Sequence, residues 1–344
     1  MASAENLSTR ELHVLEAVIQ TYIETAEPAG SRTVAQRFGL GVSPATIRNI
    51  MSELEDKGML YHPHTSAGRI PTDLAYRVYV DSLMRLAPPS DAARQTLEAE
   101  LPGSRNAMDQ LLRRTAQVLG VLTQELGVAV APTFEYVVLE RLELVQVSSE
   151  RILMVLTLRS GAVRTVFVEV HGAIAKSALD RVAQVLNERL AGLTVADIRT
   201  SLAERLRDVG ESPESHELLN IFLAERDEIF DLTGPEQEVA LGGAELLAEQ
   251  PEFASNTRMR DLLHLTQRRE LLRGALQTRG EGLTITIGGE NIDPRLSDFT
   301  LVTATYRAGE LRGVIGVLGP TRMPYDKIIV LVEHTSQLVE GLLS

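Results

Sequence analysis

Apolar residues recur at helical spacing through the first part of the chain. Ser8 and Glu11 fit the S-x-x-E capping box that begins a helix, and Pro28 with Gly30 marks its end. Five apolar residues lie on one face of this predicted helix: Leu12, Leu15, Ile19, Tyr22 and Ile23. A short second helix follows from about Ser31 to Phe38, before the turn GLGVS. The pattern therefore predicts two helices that pack through apolar faces.

A third helix begins at Ser43. Ser43 is the expected N-cap, Pro44 occupies the first helical position, and Gly58 closes the helix. Its buried face carries four residues at i, i+3, i+4 and i+7: Ile47, Ile50, Met51 and Leu54. A short helix, a glycine-containing turn and a second helix form the helix-turn-helix pattern, although a plain helical hairpin would give the same spacing.

The outward face of the third helix has the chemistry of a DNA reader. Five small, hydroxyl-bearing, amide or cationic residues lie on it: Ala45, Thr46, Arg48, Asn49 and Ser52. Such side chains at the start of a helix can reach base edges in the major groove. Arg32 and Thr33, at the start of the second helix, complete the helical part of the candidate DNA-binding set. The polar run after Gly58 then predicts a β-wing, with 60–62 leading out and 69–71 leading back. A generic exposed loop is the alternative.

The remaining pattern predicts a mixed α+β chain. A helix from about 72 to 86 ends before Pro88 and Pro89, the clearest domain boundary, and another helix spans about 107 to 126. Four β-branched-rich strands follow between 127 and 170, then a helical block to about 278, three more strands and a closing helix from about 324. Because strands flank the helical block, we interpret it as an insertion into one α+β domain.

Composition narrows the function and the compartment. The 344 residues are 44% hydrophobic and 24% charged, which is typical of a globular protein. There is no cysteine, so disulfides and thiolate chemistry are excluded. No leader peptide and no run of about 20 apolar residues is recognisable, so we expect a cytoplasmic protein. A net charge of −13 argues against indiscriminate coating of nucleic acid, yet residues 31–52 and 58–72 contain no acid.

Several segments resemble one family in the same order along nearly the full chain. SPATIRNIMSELEDKGMLYHPHTSAGRIPTDLAYRVYVD, VALGGAELLAEQPEF, IGGEN and GVIGVLGPTRMPY are similar to the heat-inducible transcription repressor HrcA family. One small departure is Ala75, where a glycine is expected; a helix tolerates alanine better there.

The resemblance implies an N-terminal winged helix-turn-helix followed by a GAF-like α+β domain with an inserted, mainly helical dimerisation domain. We place these at 1–87 for the winged helix, 88–190 and 281–344 for the GAF-like domain, and 191–280 for the insertion. Family members act as homodimers on an inverted-repeat operator upstream of chaperone genes, and the chaperonin GroEL maintains their activity.

Carried onto this sequence, the resemblance assigns roles to individual residues. Thr46, Arg48 and Asn49 would face bases, with Ser43 and Pro44 setting the helix start. The wing would consist of His64, Thr65, Ser66 and Arg69. The leucine-rich run from 258 to 277 fits either a core or a subunit interface, and the resemblance favours the interface. Its candidate residues are Met259, Leu262, Leu263, Leu271 and Leu272.

Rival functions have weaker support. A small-molecule sensor that uses the GAF-like domain is the main alternative, although its predicted strands supply few polar groups. Neither a nucleophile elbow nor a metal-ligand spacing points to an enzyme, and Pro63 between His62 and His64 disfavours a metal there. The glycine-rich GVIGVLGP lacks the Lys-Ser/Thr of a P-loop and the spacing of a dinucleotide fingerprint. We expect no cofactor and no enzymatic activity.

Overall fold

The computed structural model describes residues 7–39, 41–64, 68–101, 108–133, 137–159, 161, 163–170, 174–207, 213–230, 239–277, 279–309 and 311–343. It mixes helices with sheets, which confirms a mixed fold of helices and strands. The chain divides into two compact units. The first comprises 1–130, 239–306 and 314–342, and the second comprises 131–238, 307–313 and 343–344. No described helix combines the length and apolar character that a membrane crossing requires.

The N-terminal region of the first unit contains short helices and a small two-stranded sheet. Its elements are α1 (Thr9–Thr25), α2 (Ser31–Phe38), α3 (Pro44–Asp56), β1 (Leu60–Tyr61), β2 (Ile70–Pro71) and α4 (Asp73–Val78), which continues into a π-helical turn at Tyr79–Leu83. The predicted capping box is present, because Ser8 Oγ accepts from Glu11 N and the Glu11 carboxylate accepts from Ser8 N. Ala26 ends α1 in the left-handed conformation.

The middle of the chain begins with two helices and continues into strands. Its elements are α5 (Asp91–Glu100), α6 (Met108–Thr123), β3 (Leu126–Thr133), β4 (Leu139–Ser148), β5 (Arg151–Leu158), β6 (Val163–Glu169), α7 (Lys176–Leu190), α8 (Val195–Arg205), α9 (Pro213–Ala224) and α10 (Arg226–Ile229). The C-terminal part contains β7 (Ala240–Gly242), α11 (Ala244–Ala248), α12 (Asn256–Gln267), α13 (Arg269–Gln277), β8 (Leu283–Ile287), β9 (Phe299–Ala308), β10 (Leu311–Pro320) and α14 (Tyr325–Leu343). The strand pairs β1–β2, β3–β7, β4–β5, β5–β6 and β8–β9 are antiparallel.

A five-stranded sheet in the order β7-β3-β10-β9-β8 organises the first unit. Its strands and the helices α11 to α13 share one apolar cluster, which includes Leu126, Leu262, Leu272 and Leu301. Glycine lets α6 approach β7 closely, since a Cβ on Gly120 would lie 2.6 Å from the carbonyl oxygen of Gly242. The same contact explains the paired glycines of the segment VALGGAELL.

The second unit contains its own sheet, in the order β4-β5-β6. Residues alternate along β5 between buried and half-buried positions, so one face of this sheet is a core face. That face shares an apolar cluster with α7 to α10, including Met154, Leu156, Leu186 and Phe222.

These units differ from the predicted domain boundaries. Residues 139–169 were expected in the GAF-like domain, but among the described strands β4 to β6 pair only with each other and belong to the second unit. Helices α11 to α13, expected in a mainly helical insertion, lie in the first unit. The reason is physical: alternation identifies a strand and its buried face, but it does not specify which other strand will pair with it.

Candidate nucleic-acid interface

The start of α3 is fixed by its own sequence. Ser43 has extended backbone angles and its Oγ accepts from Thr46 N at 3.2 Å, while Pro44 supplies a helical φ without needing a hydrogen-bond partner. The hydroxyl groups of Ser43 and Thr46 are also 2.9 Å apart. The cap therefore holds Thr46 in place at the exposed end of the helix.

The predicted inward and outward faces of α3 are both observed. Ile47, Ile50, Met51 and Leu54 are buried, and Ile47 and Leu54 are fully inaccessible. The predicted DNA-facing residues of α3 and its N-cap are all exposed: Ser43, Ala45, Thr46, Arg48, Asn49 and Ser52. Arg32 and Thr33, in the first turn of α2, are exposed as well. The helical part of the candidate set is therefore accessible, and α2 packs against α3. We call these exposed residues of α3, its N-cap and the first turn of α2 the α3 face.

Cations on the α3 face remain available to a partner. Within the described part of the chain, neither Arg32 nor Arg48 forms an ion pair. Arg37, in contrast, pairs with Glu24 and lies over the ring of Phe38, with its guanidinium carbon 5.9 Å from the ring centroid. The positive charge that could approach a phosphate or a guanine is therefore concentrated on Arg32 and Arg48.

The wing is built on backbone pairing. Leu60 is paired with Pro71 and Tyr61 with Ile70, and an isolated bridge joins Arg69 to Ala29. Gly68 is required for this bridge, because a Cβ there would collide with the carbonyl oxygen of Ala29. His64 is exposed near the tip of the wing. Thr65 and Ser66, predicted as wing contacts, lie outside the described residues.

Arg69, which was predicted as part of the wing, forms an ion pair within the chain. Its Nη2 lies 2.8 Å from Glu55 Oε2, and its side chain is only 12% exposed. Glu55 Oε1 also lies 2.8 Å from Nδ1 of His62 on the outgoing strand. One carboxylate near the end of α3 therefore contacts both arms of the wing. This pairing was not predicted, because Glu55 and Arg69 are 14 residues apart along the chain.

A second ion pair holds the end of α3 against the start of α1. Lys57 Nζ donates to Glu11 Oε1 at 2.6 Å, and Glu11 also accepts from Ser8 N. The hydrogen bond from Lys57, followed by that from Ser8, lowers the pKa of the Glu11 carboxyl below its usual value despite burial. This lysine is thus used structurally.

The predicted dimer residues are mostly internal. Leu262 and Leu272 are at most 2% exposed and belong to the apolar cluster of the first unit, while Met259 and Leu271 are half-buried against that cluster. The leucine periodicity correctly indicates burial, but the buried face packs within the chain. Leu263, at 54% exposure, is the one residue of the five that is freely accessible.

A group of polar contacts that the sequence did not predict lies on another side of the same N-terminal region. Arg77 of α4 donates to Glu290, and Asp73 accepts from Gly289 N. Arg322, after β10, donates to the carbonyl oxygen of Ile23 in α1. These residues belong to segments that carry the family resemblance, but their partners are more than 200 residues away along the chain.

Comparison with known proteins decides the family. The model of the HrcA protein C terminal domain matches residues 109–329. A heat-inducible transcription repressor HrcA of Chlorobium phaeobacteroides (strain BS1) is 38% identical over 351 residues, covering 98% of this chain and 99% of the relative. The chain belongs to the HrcA family.

Another HrcA relative agrees with this assignment, and a solved structure shares the fold. The heat-inducible transcription repressor HrcA of Geobacter sulfurreducens is 36% identical, with 98% of each chain covered. A crystal structure described as that of a hypothetical protein matches with a TM-score of 0.55 at 23% identity, covering 98% of this chain and 99% of that one. At this identity, the match shows a shared fold and nothing about function.

Proposed function

We propose that this chain represses transcription of heat-shock genes in the cytoplasm by binding an inverted-repeat operator as a homodimer. The observation that carries the proposal is the α3 face, where Arg48 and Asn49 are exposed, unpaired with any described carboxylate, and presented by a capped helix. Arg is the commonest reader of guanine and Asn of adenine in the major groove. The relatives' printed name, heat-inducible transcription repressor, supports the same activity.

The experiment measures affinity for duplex DNA from the organism's own chaperone promoter. Arg48→Ala is expected to weaken binding by about 1–3 kcal/mol and to narrow the difference between operator and scrambled duplex. Arg10→Ala is the matched control, because Arg10 is equally exposed but lies on α1. Equal losses in both variants, or no loss with Arg48→Ala, would contradict the assignment of α3.

Two copies are needed because one reading helix contacts only one half-site. We place the dimer contact on the outer face of the β4-β5-β6 sheet rather than on the predicted leucines. Four large apolar side chains there are between 49% and 60% exposed: Val145, Val147, Val163 and Phe167. Val145 and Phe167 flank Leu153 in one cross-strand row, and Arg141 pairs with Glu143 on the same strand as Val145. An apolar patch beside charges of both signs can be self-complementary about a two-fold axis.

Paired substitutions separate the two candidate interfaces. Phe167→Glu is expected to convert the dimer into a monomer in sedimentation measurements and to weaken operator binding by tenfold or more, since the second contact is no longer intramolecular. Leu263→Glu adds the same charge at the exposed residue of the originally predicted interface and is expected to leave the dimer intact. If Leu263→Glu disrupts the dimer and Phe167→Glu does not, the interface lies at α12.

Heat release and chaperonin dependence complete the proposal. Folded domains are only about 5–15 kcal/mol more stable than their unfolded state, and dimerisation and DNA binding add stability by mass action. The chain is only 4% aromatic and has no tryptophan, so it contains few of the side chains that bury the most area each. Operator binding is expected to be lost near the upper growth temperature and to return when GroEL and ATP are added. Recovery that is equally complete without chaperonin would refute the GroEL step.

One cavity favours a second candidate function, the sensing of a small anionic molecule. It measures about 630 Å³ and is lined by residues of α13, β8 and the following loop. Arg279 donates there to Ala275 O and Thr286 Oγ1, at 3.0 and 2.9 Å, and no described carboxylate pairs with it. Burial lowers the pKa of this guanidinium. Inorganic phosphate or a small dicarboxylate should raise the melting temperature of the protein and of the control variant Arg10→Ala, which lies outside the cavity, but not of Arg279→Ala. No shift in any of the three proteins rules out an anion sensor at this cavity.

A further inference from the structure

Arg77 connects the DNA-binding region to a loop of the sheet region in the first unit. Its Nε donates to Glu290 Oε1 at 2.8 Å, its Nη2 donates to Ile285 O at 2.8 Å, and Nη2 also contacts Glu290 Oε2. Burial alone would raise the pKa of Glu290, but hydrogen bonds from Arg77 and from Ile287 N hold that pKa below its usual range. The two-pronged geometry fixes the direction of the side chain as well as its distance.

Asp73, four residues before Arg77, contacts the same loop. Its Oδ2 accepts from Gly289 N at 3.0 Å. Gly288 has a φ of 53°, and a Cβ at that position would collide with the Asp73 carboxylate. The loop is held from the other side by Asn291, whose Nδ2 donates to three carbonyl oxygens, including those of Leu296 and Phe299. Hydrogen bonds thus hold the segment IGGEN in one conformation, in which it contacts α4.

Arg322 makes a third connection, to α1. Its Nη1 donates to Ile23 O at 2.6 Å, and its Nε and Nη2 donate to the two carboxylate oxygens of Glu252 at 2.5 and 3.0 Å. Both side chains of this pair are about 15% exposed. Beside them the rings of Tyr76 and Tyr325 have centroids 5.7 Å apart. Polar bonds thus surround a buried aromatic contact.

We propose that Asp73, Arg77, Glu290 and Arg322 are positioning residues that form a clamp. The clamp holds α1 and α4 at one orientation on the sheet region and thereby selects operators by the spacing of their half-sites. If the helix that contacts DNA could rotate freely, the dimer would bind half-sites at many spacings. If the two copies of α3 in the dimer are held in fixed orientations, the dimer binds only half-sites separated by whole helical turns of DNA. This inference rests on the proposed function, because it requires two half-sites and two copies. None of the clamp residues lies on the α3 face, so each helix still reads its own half-site.

A distance measurement tests the clamp without DNA. Because the chain has no cysteine, spin labels can be attached specifically at His13→Cys in α1 and Glu333→Cys in α14, both exposed. Labelled protein is mixed with an excess of unlabelled protein, so that only the distance within one protomer is measured. The wild-type background should then give one narrow distance distribution, and Arg77→Ala and Glu290→Ala should each broaden it. Arg295→Ala is the control, because this exposed arginine pairs locally with Asp293. Should Glu290→Ala fail to fold, Glu290→Gln removes the charge and keeps an acceptor. Distributions as narrow as wild type in the folded clamp variants overturn the proposal.

A DNA series tests the consequence for recognition. The full-length protein is titrated with a single half-site and with inverted repeats whose spacer is native or changed by about five base pairs, half a helical turn. The wild type should lose at least tenfold in affinity when the spacer changes. Glu290→Ala should differ by less than about twofold between spacers, with unchanged half-site affinity. A variant that keeps the wild-type spacing profile overturns the clamp. A wild type that does not prefer the inverted repeat to the half-site refutes the proposed function instead, and the label distances still decide whether the clamp exists.

Discussion

Two sides of the N-terminal region use the same residue type in opposite ways. On the α3 face, Arg32 and Arg48 are exposed and pair with no described carboxylate. On the clamp side, Arg77 and Arg322 are half-buried and each is bonded to a carboxylate and a carbonyl oxygen. The difference teaches that the role of an arginine depends on whether its guanidinium is paired with a carboxylate of the same chain. An unpaired guanidinium keeps its charge for DNA, and a paired one determines orientation.

The two sides should also separate binding from stability. Exposed polar residues contribute little to the free energy of unfolding unless they cap a helix. Apart from the N-cap Ser43, changes on the α3 face should therefore alter affinity for DNA rather than stability. The clamp side contains fully buried aromatic rings, so changes there should alter the melting of the protein.

The largest effect is expected at Tyr76. Its ring is 1% exposed and lies against Tyr325, so Tyr76→Ala should lower the free energy of unfolding by about 3–5 kcal/mol. Tyr61, in β1, is 46% exposed and serves as the control. Chemical denaturation measures both. A loss at Tyr61→Ala as large as that at Tyr76→Ala would mean that the clamp side is not the stabilising side.

The next effect depends on pH and arises from Glu125, a buried carboxyl near the Arg322–Glu252 pair. Its Oε2 has no hydrogen-bond partner among the described residues, and burial raises its pKa to about 8 from 4.5. The native state therefore prefers the protonated acid. The favourable contribution of the protonated Glu125 to the free energy of unfolding is complete below pH 4.5 and is lost as the pH rises through 8. Between these two values the free energy of unfolding falls by up to about 1.4 kcal/mol per pH unit.

Glu125→Gln should abolish this dependence. The unfolding free energy of the wild type should fall relative to that of the variant between pH 5 and pH 8, as measured by denaturation at several pH values. Glu245→Gln changes an exposed glutamate of α11 and is the control. A constant difference between wild type and Glu125→Gln across this range would show that Glu125 is ionised in the native state.

The smallest effect is expected at the α3 cap. Ser43→Ala removes the acceptor for Thr46 N and should cost about 1 kcal/mol of stability. Because the cap also holds Thr46 in place, Ser43→Ala should lower the affinity for the operator as well as the stability. Ser52→Ala, an exposed change within the same helix, should leave stability nearly unchanged. Should Ser43→Ala leave both quantities unchanged, the cap would have no part in presenting the α3 face.

Local patterns were enough to predict α3, and distant pairing was not. Ser43, Pro44 and the spacing from Ile47 to Leu54 fix the helix and its outward face within a dozen residues. The bond from Arg77 to Glu290 joins positions 213 residues apart, so no local period encodes it. Leu272 shows an intermediate case: its leucine-rich surroundings indicate burial, but the covering partner is the chain's own sheet. For the same reason, strands β4 to β6 were predicted as strands, but their pairing into a separate sheet was not predicted.

The most direct test of the account is a base-by-base preference profile of the operator. A library of duplexes is randomised across both half-sites at fixed spacing. Wild-type protein and Arg48→Ala each select duplexes from this library, and the bound sequences are determined. If α3 reads each half-site, Arg48→Ala should relax the preference at one base pair in each half-site, at positions related by the operator's two-fold axis. A uniform loss of affinity with the preference profile unchanged would place Arg48 on the phosphate backbone and contradict the central claim.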